Sequence, residues 1–119
     1  MMTYLYADGD GVGDKLELLL LDGNVDAAAR HSHSITEGIT TVAHILQTAG
    51  WQLHFCGGDE LVASTKAPVE RAALTAAHIA FSEQVGCTLS VGLGPSPGAA
   101  VAALHRAKLL GRDRIEQSV

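Results

Sequence analysis

Residues 51–64 read WQLHFCGGDELVAS. Trp51 to Cys56 alternates side chains as a half-buried strand does. Gly57-Gly58 then supplies the backbone freedom of a tight two-residue turn. Glu60 to Ser64 is the return strand, so the stretch is a β-hairpin with Asp59 and Glu60 at its tip. Helices flank it. Asn24 caps a long helix from about Val25 to Ala49, in which Ile35, Ile39, Val42 and Leu46 mark one face and which Gly50 ends. Pro68 opens another that runs to about Val85, with Gly86 after it. Further out, Thr3 to Ala7 (TYLYA) predicts a buried strand, and Asp8 to Gly13 (DGDGVG) a loop. Asp14 to Leu21 predicts a short helix closed by Asp22-Gly23-Asn24. Thr88 to Leu93 is a fourth strand, Gly94 to Gly98 a loop, and Ala99 to Leu110 a last helix with Gly111 as its C-cap. Arg114 to Glu116 fits a small edge strand.

Helices that cross over between strands of a hairpin-built sheet predict a ferredoxin-like α+β fold. The expectation is one domain over residues 1–119, an antiparallel sheet covered by helices. In this arrangement the first and second strands run parallel, and the third lies antiparallel between them. Asp8 at the end of strand one and Asp59 at the start of strand three then share one sheet edge. Neighbouring strands are ~4.8 Å apart. Two carboxylates some fifty residues apart in sequence should therefore converge.

Composition narrows the partners. Eight Lys and Arg against thirteen Asp and Glu give a net charge of −5, with no basic cluster to track a duplex. No apolar run approaches the ~18 residues of a membrane span. No direct nucleic-acid or membrane binding is expected. The N-terminus lacks a basic-then-apolar leader, and two cysteines without a CxxC are no disulfide framework, so the expected location is the cytoplasm.

Two close carboxylates repel unless a cation sits between them. A hard divalent ion is the usual answer, with water and substrate phosphates completing its shell. Gly9, Gly11 and Gly13 let backbone approach a triphosphate, and the following helix N-terminus can cradle its oxygens. Other motifs fail. A dinucleotide fingerprint starting at Gly9 needs glycine where Asp14 stands, and an EF-hand starting at Asp8 meets Val12 and Leu19 at ligand positions. Taken singly, Gly57-Gly58 is an ordinary turn and Asp8-Gly9-Asp10-Gly11 an ordinary loop.

Together these segments resemble the palm-type nucleotide cyclases and polymerases, which include GGDEF dinucleotide cyclases and the palm of the type III CRISPR large subunit. Ser90-Val91-Gly92-Leu93-Gly94 is similar to their SIGIA strand, and Ala103 to Asp113 (ALHRAKLLGRD) to their ALYxAKxxGRN helix. Four segments in order cover nearly the whole chain. The small size and the DGD loop are most similar to the minimal CRISPR polymerases (mCpol), a stand-alone palm family associated with anti-phage defence. The resemblance implies Asp8 and Asp59 as catalytic metal ligands, the Gly9 carbonyl on the same ion, and Glu60 in support. It implies two Mg²⁺ or Mn²⁺ ions. It implies nucleotide contacts from Gly9, Asp10, Gly11, Val12, Gly13, Gly57, Gly58, Lys108 and Arg112, with Lys108 on the triphosphate and fixing of the loop as the alternative role of Asp10. The implied activity condenses nucleoside triphosphates into a cyclic di- or oligonucleotide with release of pyrophosphate. Leu16 and Glu17 stand where guanine-reading residues of the dinucleotide cyclases would fall, which favours ATP. No RxxD precedes Gly57, so the product-inhibition site is expected to be missing. Implied partners are a second copy of the chain, facing the first across the nucleotides, and a separate effector that responds to the product. Synthesis of cyclic di-GMP and non-catalytic nucleotide binding are the alternatives.

The remaining candidates are weaker. His31 and His33 fall on different helix faces, which speaks against a metal pair. His105, one turn before Lys108, is a candidate phosphate contact. Cys56 and Trp51 read as packing residues, and Leu18 to Leu21 as either core or an apolar dimer patch.

Overall fold

The computed structural model describes residues 1–118. In chain order the elements are β1 (Thr3–Gly9), α1 (Val12–Leu21), α2 (Val25–Thr48), β2 (Gln52–Gly57), β3 (Glu60–Thr65), α3 (Arg71–Val85), β4 (Leu89–Gly94), α4 (Pro97–Leu109) and β5 (Ile115–Gln117). The sheet order is β2-β3-β1-β4-β5. β3 is antiparallel to both β1 and β2, β1 is antiparallel to β4, and β5 joins β4 in parallel. This is the expected α+β arrangement, with strand three beside strand one.

Alternation along β1 sorts the two faces. Leu5 and Ala7 turn towards α2 and α3, and with Leu61, Ala63, Leu89, Val91 and Leu93 they form the sheet side of the core. The helices answer with Ile39, Val42, Leu46, Leu74, Phe81 and Val85, and Trp51 is buried among them as expected. Gly38 sets the helix spacing, because a Cβ there would lie 2.4 Å from Val85 Cγ2. Tyr4, Tyr6 and Asp8 take the opposite face, which α4 covers over β1, β4 and β5.

α4 lies on β4 through Gly92. A Cβ on Gly92 would meet the Ala100 carbonyl oxygen and the Leu104 nitrogen, both at 2.3 Å. These are backbone atoms with no room to yield. Gly92→Ala is therefore expected to destabilise the fold by about 3 kcal/mol, the upper end for overpacking. Urea denaturation of the variant reads this directly, and an unchanged midpoint would contradict the contact.

Several boundaries differ from the sequence expectation. β1 continues to Gly9, so Asp8 belongs to the ladder rather than the loop. α1 starts at Val12, two residues before Asp14, because Gly11 adopts φ 66° and turns the chain straight into the helix. α3 starts at Arg71 and not at Pro68. The Thr65 hydroxyl accepts from the Ala67 N–H, and Glu70 stays extended, so the proline lies in the connection. α4 starts at Pro97, inside the expected loop. Ser96 caps it by accepting from the Ala99 N–H at 3.1 Å, and Pro97 takes the first helical position. Cys56 is exposed rather than packed, since β2 is an edge strand open at its turn end. Leu18, Leu20 and Leu21 are also exposed and leave the core. Among the described residues no helix is long and apolar enough to cross a membrane.

Candidate functional site

The carboxylates meet through the strand ladder. Asp8 pairs with Glu60 in register, and the Gly9 N–H donates to the Asp59 carbonyl at 3.0 Å. Gly9 has to be small here. A Cβ would lie 3.0 Å from Val12 Cγ1 and 3.1 Å from Asp59 Cβ. The close approach puts two like charges together. Burial, and then the Asp8 carboxylate, raise the Asp59 carboxyl from its ordinary 3.8 to about 6. Glu60 stands beside them on the sheet face. The Tyr6 phenol near it is pushed up by burial and then by Glu60 and Asp8.

Lys108 enters from α4 and lies against these acids. Its Nζ is 3.1 Å from Asp8 Oδ2, 3.0 Å from the Gly9 carbonyl oxygen and 2.7 Å from Asp10 Oδ1. The ammonium thus sits against the carboxylate and the carbonyl expected to hold a metal ion. It places one positive charge against these oxygens. The set is hard oxygen throughout, as Mg²⁺ or Mn²⁺ requires. Among the described residues no three His, Cys, Asp or Glu side chains form a ready-made cage.

Asp10 holds Lys108 in turn. It is 7% exposed, and four donors reach it. Ser90 Oγ and Lys108 Nζ donate to Oδ1 at 2.8 and 2.7 Å; Thr88 Oγ1 and the Asp113 N–H donate to Oδ2 at 2.7 and 3.0 Å. Burial alone would raise its carboxyl. The donors, Lys108 first among them, outweigh burial and hold it below the usual range. Asp10 therefore lies behind the groove as the anchor of Lys108, not at a ligand.

Asp8, Gly9, Gly11, Val12, Gly13, Asp14, Asp59, Lys108 and Arg112 line one open groove of about 350 Å³. The α1 N-terminus faces into it without a side-chain cap, which leaves first-turn N–H groups for an anion. Arg112 lies over Gly11, where a Cβ would come 3.7 Å from its Nη1. A second cavity of about 220 Å³ adjoins at Val12, Gly13 and Asp59 and runs between α1 and α2. Leu16 and Ile35 give it apolar walls, and Ser32 and Thr36 give it hydroxyls.

The structure brings Asp8, Gly9, Gly11, Val12, Gly13, Asp59, Lys108 and Arg112 together as the sequence predicts. Gly58 lines the second cavity, while Gly57 and Glu60 line neither. His31 is buried and donates through Nε2 to the Val12 carbonyl at 3.0 Å, which fixes the start of α1. His33 instead faces solvent with Glu37 at 2.8 Å, and His105 is exposed. Thr88, Ser90, Asp14, Ser32 and Thr36 escaped the sequence reading. The signal for Ser90 was available, since it is a hydroxyl inside an otherwise apolar, fully buried strand.

Comparison with known proteins places this fold. The Csm1–Csm4 cassette in complex with one ATP superposes with a TM-score of 0.75 at 18% identity, over 96% of this chain. The chain spans only 20% of that one. The GGDEF domain of DgcB from Caulobacter crescentus, in complex with c-di-GMP, gives 0.68 at 16% identity over 98% of this chain and 77% of its own. The GGDEF domain of YfiN (TpbB) from Pseudomonas aeruginosa gives 0.65 at 16% identity over 99% and 82%. These likenesses establish a palm-type cyclase fold. No curated protein matches the chain. The minimal CRISPR polymerase domain matches residues 4–118, nearly all of the 119, and the chain belongs to that family, mCpol.

Proposed function

We propose that the protein is a metal-dependent nucleotidyltransferase that condenses nucleoside triphosphates, ATP foremost, into a cyclic di- or oligonucleotide signal in anti-phage defence. One observation carries this reading. Asp8 and Asp59 converge beside a helix N-terminus, and the Lys108 ammonium already sits among the oxygens of Asp8 and Gly9. Asp8, Asp59 and the Gly9 carbonyl would hold Mg²⁺ or Mn²⁺, with Glu60 in support. Bound there, the metal supplies charge that acidifies a sugar hydroxyl and neutralises a leaving pyrophosphate.

The chain's own residues do the rest. First-turn N–H groups of α1 and the Arg112 guanidinium orient the triphosphate in the groove. Lys108 meets the phosphates once a cation replaces it at Asp8. The acceptor hydroxyl oxygen bonds to the α-phosphorus of the donor nucleotide. The bond from that phosphorus to the bridging oxygen breaks, pyrophosphate leaves with the electron pair, and the hydroxyl proton passes to solvent. The donor base fits the cavity between α1 and α2. The Ser32 hydroxyl can donate there and the Thr36 hydroxyl, which itself donates to the Ser32 carbonyl, can accept, which suits the mixed edge of adenine. Its single carboxylate, Asp59, belongs to the metal set, and Glu17 is not in the lining. The paired donors of guanine would thus find no free acid. One groove takes one triphosphate, so a facing second copy completes ring closure, and the product acts on a separate effector.

The test is incubation with Mg²⁺ or Mn²⁺ and each nucleoside triphosphate, singly and in pairs, with mass spectrometry of products. ATP alone is expected to yield pyrophosphate and a cyclic product. Pyrophosphate from none of the four removes the enzyme reading. Turnover of GTP in preference to ATP replaces the base assignment with cyclic di-GMP synthesis.

A further inference from the structure

The chain passes from α4 to β5 through a turn in which three consecutive residues take left-handed backbone angles. Gly111 has φ 115°, Arg112 66° and Asp113 53°. Glycine does this freely. Among the described residues, Arg112 and Asp113 are the only non-glycine residues with positive φ. An arginine Cβ crowds the backbone there, whereas aspartate is among the residues that enter the region. Such strain persists only where the surroundings over-determine it. Here they do. The Arg112 N–H donates to the Ala107 carbonyl at 2.9 Å, and Arg114 Nε donates to the Arg112 carbonyl at 3.2 Å. The Asp113 N–H donates to Asp10 Oδ2 at 3.0 Å. From the other side, His78 of α3 sets its Nε2 2.9 Å from Asp113 Oδ1. That nitrogen is shut off from solvent and forms no aligned hydrogen bond, which leaves the Asp113 carboxylate as its electrostatic partner.

We propose that Asp113 is a positioning residue for the triphosphate: clamped between Asp10 and His78, it holds the strained turn that keeps the Arg112 guanidinium at the groove. The inference rests on the proposed nucleotidyl transfer and gives the shape of this turn a purpose within it. Arg112 lines the groove together with Asp8, Asp59 and Lys108, and its Nη1 lies over Gly11, just before α1. A turn that only joined α4 to β5 could carry glycine at positions 112 and 113 and avoid the strain. Arginine at 112 puts a planar cation where phosphate oxygens are expected. A free arginine side chain samples many rotamers, and one held in advance loses less freedom when it binds. The clamp on Asp113 supplies that order before the ligand arrives. It also ties the groove to α3, since His78 is the point at which that helix reaches the turn.

The test is a double-mutant cycle on the full chain, read as the dissociation constant of α,β-methylene-ATP with Mg²⁺ by calorimetry. Arg112→Ala should weaken binding about tenfold, the loss of one charge-assisted contact. Asp113→Gly keeps the N–H to Asp10 and relieves the strain at that residue, so its thermal midpoint should stay close to wild type. Its binding should still weaken about fivefold, because the turn is freed and the guanidinium must be ordered by the ligand. In an Arg112→Ala background the same change should cost nothing further, since Asp113 acts through Arg112. A role confined to the fold would instead make the two losses multiply. His78→Ala should weaken binding about threefold, and again only while Arg112 is present. Asp113→Asn tolerates the same backbone angles and keeps a polar group for His78, so it should recover most of the affinity. Undiminished binding in Asp113→Gly and His78→Ala, or losses that multiply, would overturn the proposal. The ligand-free protein gives a second reading. The NMR signal of the Arg112 Nε–H should be distinct in wild type and move to the position of a free arginine in Asp113→Gly. A wild-type signal already at that position would overturn the proposal without any nucleotide. A wild type that binds no analogue would overturn both readings, whereas one that binds it and releases no pyrophosphate from ATP would remove the activity alone.

Discussion

Asp59→Asn is expected to lower nucleotide condensation about a thousandfold while making the metal-free protein more stable. The loss follows from removal of a ligand worth several kcal/mol of transition-state charge stabilisation, at about 1.4 kcal/mol per tenfold. The gain follows from the same crowding that makes the site attractive to cations. Asp59 is raised to about 6 by burial and then by Asp8, so its ionised form strains the native state. Below its ordinary 3.8 the carboxyl is protonated in both folded and unfolded chains and costs nothing. As pH rises from there to about 6 the native state holds the extra proton, so wild-type stability falls through that window and the penalty is complete above it. Discounted for partial exposure, the penalty is about 1 kcal/mol, or about 4 °C in a chain of this size. The midpoints of wild type and variant should therefore coincide near pH 3.5 and separate by roughly that amount at pH 7.5. Mg²⁺ should raise the wild-type midpoint at pH 7.5 and leave the variant's nearly unmoved, because only a ligand that binds the native state stabilises it. Thermal scans at two pH values, with and without Mg²⁺, read all of this. A variant that keeps full activity, or a wild type indifferent to Mg²⁺, would contradict the assignment.

The parts of this site visible in the sequence are those fixed by local rules. The hairpin turn falls on Gly58 and Asp59, one residue later than the Gly57-Gly58 reading because Gly57 still pairs with Glu60 in the ladder; the hairpin sets the register of β3, and adjacency to β1 then brings Asp59 to Asp8. Each step needs only a turn, an alternation and a crossover rule. Asp10 shows where such reading stops. Its acidity and its place in DGD suggest a ligand, yet its partners Thr88 and Ser90 come from 78 and 80 residues away. Nothing local announces that a buried carboxylate will be fully satisfied by them. Boundaries failed for a related reason. Pro68 carries a helix-start signal that the Thr65 turn overrides, and Ser96-Pro97 carries one hidden within glycines and prolines. Cys56 was misplaced because alternation marks the two faces of a strand but not whether that strand lies at an edge.

Lys108→Met tests whether the lysine is part of the fold as well as of the chemistry. Loss of its charge should remove nucleotide condensation, since the proposed contact to the phosphates goes with it. It should also destabilise the chain by about 3 kcal/mol, the cost of leaving a buried carboxylate without its partner. Asp10 is the group left behind, with its side chain 4% exposed. In the wild type its carboxyl is held below the usual range, so its contribution is present above the unfolded pKa and lost as pH falls through the folded one. Loss of Lys108 removes the largest of the lowering contacts, so burial is expected to outweigh the remaining three donors and raise it, which would reverse the sign. The variant should then gain stability on acidification where the wild type loses it, and a pH series of urea midpoints reads the reversal. Asp10→Asn combined with Lys108→Met separates the two roles. The uncharged amide no longer needs a cation, so most of the stability should return, with Thr88 and Ser90 still bonded to its side chain. Activity should stay absent, because the phosphates still lack the lysine. If the double variant regains activity, Lys108 serves only to neutralise Asp10. If Lys108→Met alone is as stable as wild type, the four-donor cage around Asp10 does not depend on its charge.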